Sequence, residues 1–151
     1  MPLDLVPEHK ELIFIKGLYL LDAETKIVLP GTAGMQAAAA AGQLQAEIRA
    51  AAGLDLPVVE AVAPSGRLNV ILLLCGKDEA AAVGLEPAQI GAPLEVTSQA
   101  YVLTIERGRI VLYAPQASGL IRGVLTLCQI VRSQGAALPT LGLRDWPSSE
   151  E

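Results

Sequence analysis

Few side chains in this sequence stand where they could do chemistry together. Asp78 and Glu79 are the first pair to weigh, because neighbouring carboxylates can divide general acid and general base work between them, and Gly76-Lys77 lies just before them. In a helix, however, adjacent residues project about 100° apart, and acidic residues at a helix start are explained by the positive end of its dipole. The assignment expected for Asp78-Glu79 is therefore an acidic first turn on a short helix. Gly76-Lys77 lacks the earlier glycine and the following Ser or Thr of a phosphate loop. Ser65-Gly66 and Ser118-Gly119 lack the Gly-x-Ser-x-Gly flanks of a nucleophile elbow. His9, the sole histidine, sits in a polar stretch with no Asp or nucleophile near it in sequence. Cys75 and Cys128, the only cysteines, lie inside apolar segments and are expected to be buried reduced thiols that pack as small hydrophobes. With His9 they are too few for a metal site. No catalytic, cofactor-binding or metal-binding residue is assigned on this chain.

The composition narrows the classes further. A chain of 151 residues, 52% hydrophobic and 18% charged, is expected to form one domain with a sizeable core. Aromatics make up only 3%, which leaves few rings on which a sugar or a base could stack. The net charge of −5, the pI near 4.9 and the lack of any basic run exclude a nucleic acid as partner, since phosphate neutralisation needs clustered Lys and Arg. The longest apolar run, Val70–Cys75, is too short to span a bilayer. Met1-Pro2-Leu3-Asp4 has neither the basic nor the long apolar region of a signal peptide. The expectation is a soluble chain with no membrane partner, cytoplasmic if that N-terminus is native.

The elements follow from periodicity. Extended Leu5-Val6-Pro7 leads to a strand at Leu12–Ile15, a break at Gly17, a second strand at Leu18–Leu21 and a turn at Asp22–Thr25, whose Asp and Thr can bond neighbouring backbone. Ile27-Val28-Leu29 is the next strand, stopped by Pro30-Gly31. Ala33–Ala52 is a helix, with Ala37, Ala41, Leu44, Ile48 and Ala51 on one face, Thr32 as N-cap and Gly53 as its stop. Strands at Pro57–Ala63 and Leu68–Cys75 flank the turn Pro64-Ser65-Gly66, and so short a connection predicts antiparallel pairing between them. Val70–Leu74 is apolar on both faces, as expected of a central strand covered from both sides or of one at a domain interface. Between residues 76 and 99, Gly84, Pro87, Gly91 and Pro93 interrupt the chain, leaving a short helix at Glu79–Val83, loop, and an extended Pro93–Val96. Ala100–Glu106 and Arg109–Ala114 form a hairpin about Arg107-Gly108. A second helix, Ser118–Gln134, carries a stripe of Leu120, Val124, Leu127 and Val131, broadened by Ile121, Leu125 and Cys128. Gly119 and Gly123 lie one turn apart in it. Each costs about 1 kcal/mol against alanine in a helix, so the pair predicts close approach of helix backbone to sheet. Gly135 ends the helix, and Thr140–Arg144 is the last strand.

These segments carry a resemblance. Ala100–Ile105, Ile110–Ala114, Ser118-Gly119-Leu120, Gly123–Ile130, Leu138-Pro139 and Leu143-Arg144-Asp145-Trp146-Pro147 appear in that order, after an opening of Leu5-Val6-Pro7, Gly17–Leu20, the Ile27 strand and an alanine-rich helix. Together they resemble the N-terminal, non-catalytic α/β domain of family 20 glycoside hydrolases, the β-N-acetylhexosaminidases. The most specific parts are the Tyr-x-Leu hairpin, the Gly-x-x-x-Gly-x-x-Thr-Leu-x-Gln helix and the closing Asp-x-Pro. A related domain precedes the barrel of family 84 enzymes.

The resemblance implies an α+β fold: a largely antiparallel, mixed sheet with two roughly parallel helices packed on one face. It implies a single accessory domain over residues 1–151, ending where the family's catalytic (β/α)8 barrel begins, with Arg144, Asp145, Trp146 and Pro147 as the barrel-facing exit segment. It implies no cofactor. The partners it implies are the catalytic barrel of the parent chain and the parent's carbohydrate substrate. That parent is expected to cleave terminal β-linked N-acetylhexosamine with the substrate's own acetamido group as nucleophile, an exception to the two-carboxylate scheme. The family's catalytic Asp-Glu pair belongs to the barrel, and Asp78-Glu79 does not match its position. Two departures stand out: Ile121-Arg122 replaces the aromatics usual before the second glycine, and Ser148-Ser149-Glu150-Glu151 replaces an Arg-rich lead into the barrel. The leading expectation is a non-catalytic domain that supports such a barrel. A free-standing binding or assembly module of the same fold, with a partner covering an exposed sheet face, is the alternative. A small hydrolase using Asp78 or Glu79 is the third reading.

Overall fold

A computed structural model describes residues 11–29, 34–60, 70–75, 100–114 and 116–145. Within them the chain forms β1 (Glu11–Leu20), β2 (Lys26–Leu29), α1 (Gly34–Ala52), β3 (Val58–Glu60), β4 (Val70–Cys75), β5 (Tyr101–Ile105), β6 (Arg109–Ala114), α2 (Ala117–Gln134) and β7 (Ala137–Asp145). The strands make one sheet in the order β1-β7-β5-β6-β4-β2-β3. Its first three neighbouring pairs are antiparallel and its last three parallel, so the sheet is mixed.

This order fixes the direction of the helices. Strands β2, β4 and β6 are mutually parallel, and α1 follows β2 as α2 follows β6. Each helix must run back along the sheet before the next strand can start, so the two helices run in nearly the same direction. The Arg132 guanidinium in the last turn of α2 confirms it by donating to both carboxylate oxygens of Glu47, near the end of α1, at 2.6 and 3.3 Å.

One predicted pairing is overturned. Residues 57–63 and 68–75 were expected to make a hairpin, yet β3 and β4 are not neighbours. β3 lies parallel to β2, with Ile27 opposite Val58, and β4 takes the other side of β2. The physical reason lies on either side of the turn. Helix α1 makes β2-α1-β3 a parallel crossover unit, and the all-apolar β4 is placed where both of its faces can be covered. The two-sided burial expected of Val70–Leu74 holds: all five side chains are buried.

Strand β1 is continuous where two strands were expected. Gly17 does not end it but supports a bulge: the register moves from Phe14 opposite Leu141 to Leu18 opposite Pro139, and Gly17 has φ +141. The second half of β1 extends β7 backwards to Ala137, beyond the predicted start at Thr140. Pro139 is tolerated there because β5 pairs only with Leu141–Asp145, so the proline's missing N–H faces no ladder on that side.

Local chemistry accounts for the remaining ends. At Asp22–Thr25 the Thr25 N–H donates to the Asp22 carbonyl at 3.1 Å and the Glu24 N–H to the Asp22 carboxylate at 2.9 Å, the turn predicted from those residue types. The β5–β6 turn is closed by the Glu106 N–H donating to the Arg109 carbonyl at 2.8 Å. Both helices stop at a glycine, Gly53 and Gly135, each with φ +71. Thr32 lies outside the described residues, as does the segment in which Glu79–Val83 and Pro93–Val96 were placed.

The core has two layers. On the helix side, Ile27, Leu29, Leu44, Ile48, Leu103, Leu112, Leu120, Val124, Leu127 and Val131 are buried in one cluster. On the other side, Val28, Val70, Leu72, Leu74, Val111 and Tyr113 form a second. Leu125 was expected to broaden the apolar stripe of α2, but it is 42% exposed. The helix presses on the sheet through its two glycines, which turns Leu125 outward.

Candidate functional site

The residues that carried the resemblance pack as one unit. Alternation along β5 turns Tyr101, Leu103 and Ile105 toward the helices, and all three are buried. In α2, Gly119, Gly123 and Thr126 follow at steps of four and three and therefore share a face. A side chain at Gly119 would collide with the Ala100 carbonyl oxygen, and one at Gly123 with the Leu112 side chain and, at 3.0 Å, with the Tyr101 ring. The predicted close approach is thus real. The space left by the glycines admits the Tyr101 ring, whose hydroxyl meets the Thr126 hydroxyl at 2.5 Å in the interior. Thr126 donates in turn to the Arg122 carbonyl at 3.3 Å, which makes Tyr101 the donor of the pair. No reading of the sequence foresaw this bond. Its signal is that Tyr101 and Thr126 both fall on the buried faces of their elements.

Beside this unit, the Arg132 hydrogen bond holds the Glu47 carboxyl below its ordinary value. Cys128 lies buried under the pair. Burial pushes its thiol up from 9.0 to about 11, the Glu47 charge adds to the rise, and Arg132 opposes it. Such a thiol is inert, as expected for a packing cysteine, because thiolate is the reactive form. Tyr19 is buried, and among the described residues no group meets its hydroxyl at full hydrogen-bond geometry. Burial raises its pKa, the nearby Thr25 hydroxyl pulls it back, and Asp22 adds to the rise.

The exit segment begins in the sheet. Arg144 sits opposite Glu11 on β1 and Val102 on β5, and Asp145 opposite Tyr101. Asp145 therefore lies at the end of the sheet where β2, β4 and β6 finish and both helices start, one residue along β5 from the Ala100 carbonyl that meets Gly119. Trp146 and Pro147 lie outside the described residues, as do Asp78, Glu79, Gly76-Lys77, His9 and Ser65-Gly66. Ser118 is exposed in the first turn of α2. Cys75 ends β4. Among the described residues no group of three or more His, Cys, Asp or Glu could hold a metal ion, and no helix is long and apolar enough to cross a membrane.

Two surfaces remain. The outer side of the helix layer exposes Ala38, Ala39, Gln43, Ala46, Arg49 and Ala50 of α1 and Leu125 and Arg132 of α2, so that small side chains, one large apolar residue and two arginines share it. On the opposite face of the sheet the β2-β4-β6 portion is filled within the chain. Toward the edge this face is open at Leu18 and Leu20 of β1, which are 55% and 62% exposed.

These features define a class: an α+β domain whose two-helix layer is locked to one face of a mixed seven-stranded sheet by a pair of helix glycines. The chain belongs to glycosyl hydrolase family 20, domain 2, which matches residues 3–146. Among solved structures it is similar to the chitobiase of Flavobacterium johnsoniae, with a TM-score of 0.67 and 15% identity over 96% of this chain and 21% of that one. It is also similar to the family 20 β-N-acetylhexosaminidase of Streptomyces coelicolor A3(2), with a TM-score of 0.63 and 21% identity over 96% of this chain and 27% of that one. For CpGH84D the TM-score is 0.72 and the identity 11%, over 96% of this chain and 24% of that one. At these identities the likeness establishes the fold alone. The chain spans 21–27% of the length of these three proteins. A comparison with curated protein sequences finds no match.

Proposed function

We propose that this chain is the accessory domain of a glycoside hydrolase that removes terminal β-linked N-acetylhexosamine, and that it buttresses a catalytic (β/α)8 barrel of the parent polypeptide. The observation that carries this reading is the family match across residues 3–146. Tyr101, Gly119, Gly123 and Thr126, which belong to the most specific motifs of the resemblance, are buried and serve packing. All three tyrosines are buried, which removes them as stacking platforms for a sugar. Substrate contact is therefore assigned to the barrel, and the whole of residues 1–151 to the accessory domain.

The seat for the barrel is the outer face of the helix layer. Three features support this choice. The opposite face is already filled over β2, β4 and β6. The helix face carries Ala38, Ala39, Ala46 and Ala50, which let a neighbouring layer come close, and Leu125 as an apolar anchor beside the Arg132–Glu47 ion pair. The exit segment from Arg144 to Pro147 starts at the end of the sheet where both helices begin, so a following domain needs no long linker to reach that face.

Charged substitutions on this face test the seat. In the polypeptide that continues through the barrel, Ala46→Arg combined with Leu125→Glu is expected to lower the thermal midpoint by several degrees and to separate one unfolding transition into two. In the isolated 151-residue chain the same pair is expected to leave a single transition whose midpoint moves by no more than about 2–4 °C, since each exposed substitution falls within about 0.5 kcal/mol. Equal shifts in both proteins, or none in the longer one, would refute the helix face as the seat.

A further inference from the structure

We draw no further inference here: the strongest candidate, the exposed apolar patch of Leu18 and Leu20 on edge strand β1, carries nothing because no feature of the structure shows what covers it.

Discussion

The single residues that matter most in this domain are polar or small groups placed inside it. The hydroxyl pair of Tyr101 and Thr126 is the clearest, because Tyr101 donates to Thr126 and Thr126 to the Arg122 carbonyl in the interior. A double-mutant cycle of Tyr101→Phe and Thr126→Val, followed by urea denaturation, is expected to give a coupling of about 1 kcal/mol. Additive effects would mean that the hydroxyls do not bond. Cys128 makes a prediction with a definite sign. Its thiol ionises near 9.0 when unfolded and near 11 when folded, so the stability it contributes is full below about pH 9. It is then lost as pH rises through that interval, by an amount on the order of 2 kcal/mol. Stability measured from pH 8 to 11 should fall accordingly, and Cys128→Ala should flatten the fall while lowering stability at every pH through its lost packing. An unchanged alkaline slope in the variant would contradict the burial of that thiol. Residue roles were only partly legible beforehand. Cys128 was read as a buried thiol from its apolar neighbours alone. The Tyr101–Thr126 bond was not, because it joins residues 25 apart whose meeting depends on the register of a helix over a sheet.

At the scale of elements, the glycines decide how close α2 comes to the sheet. Alanine favours helix by about 1 kcal/mol over glycine, so propensity alone would have Gly42→Ala and Gly119→Ala both stabilise. Gly42 has open space around the missing side chain, whereas Gly119 meets the backbone oxygen of Ala100, which cannot turn aside. Gly42→Ala is therefore expected to gain about 0.5–1 kcal/mol, and Gly119→Ala to lose about 1–3 kcal/mol or more through overpacking. Chemical denaturation of the two variants separates them by sign, and a gain at both sites would contradict the packing described. Local patterns announced the elements themselves well: the hairpin, the Asp22–Thr25 turn, both helices with their glycine stops, and the central place of Val70–Leu74. They failed where pairing was decided at a distance. The turn-like Pro64-Ser65-Gly66 suggested a hairpin, but the strands on either side pair according to the crossover through α1 and the burial of β4. Gly17 looked like a strand end because a bulge and a break share one residue type, and only the partner strand distinguishes them.

For the whole molecule, the well-packed features among the described residues are those of the domain's own core: the two-sided burial of β4 and the seating of α2 on the sheet through its glycines. The fold was legible through the ordered motifs of the hairpin, α2 and the last strand, since these are the places where packing constrains residue type most tightly. Arg144 and Asp145 close the last strand, β7, but what an exit segment meets is written in the partner surface and not in the segment. The most direct measurement is turnover of a chromogenic β-N-acetylglucosaminide by the purified 151-residue chain, beside the polypeptide encoded when the reading frame is followed past Glu151. No release of chromophore by the shorter chain and steady release by the longer one is the expected result. Turnover by the 151 residues alone, lost in Asp78→Asn or Glu79→Gln, would contradict it and return the chemistry to this chain.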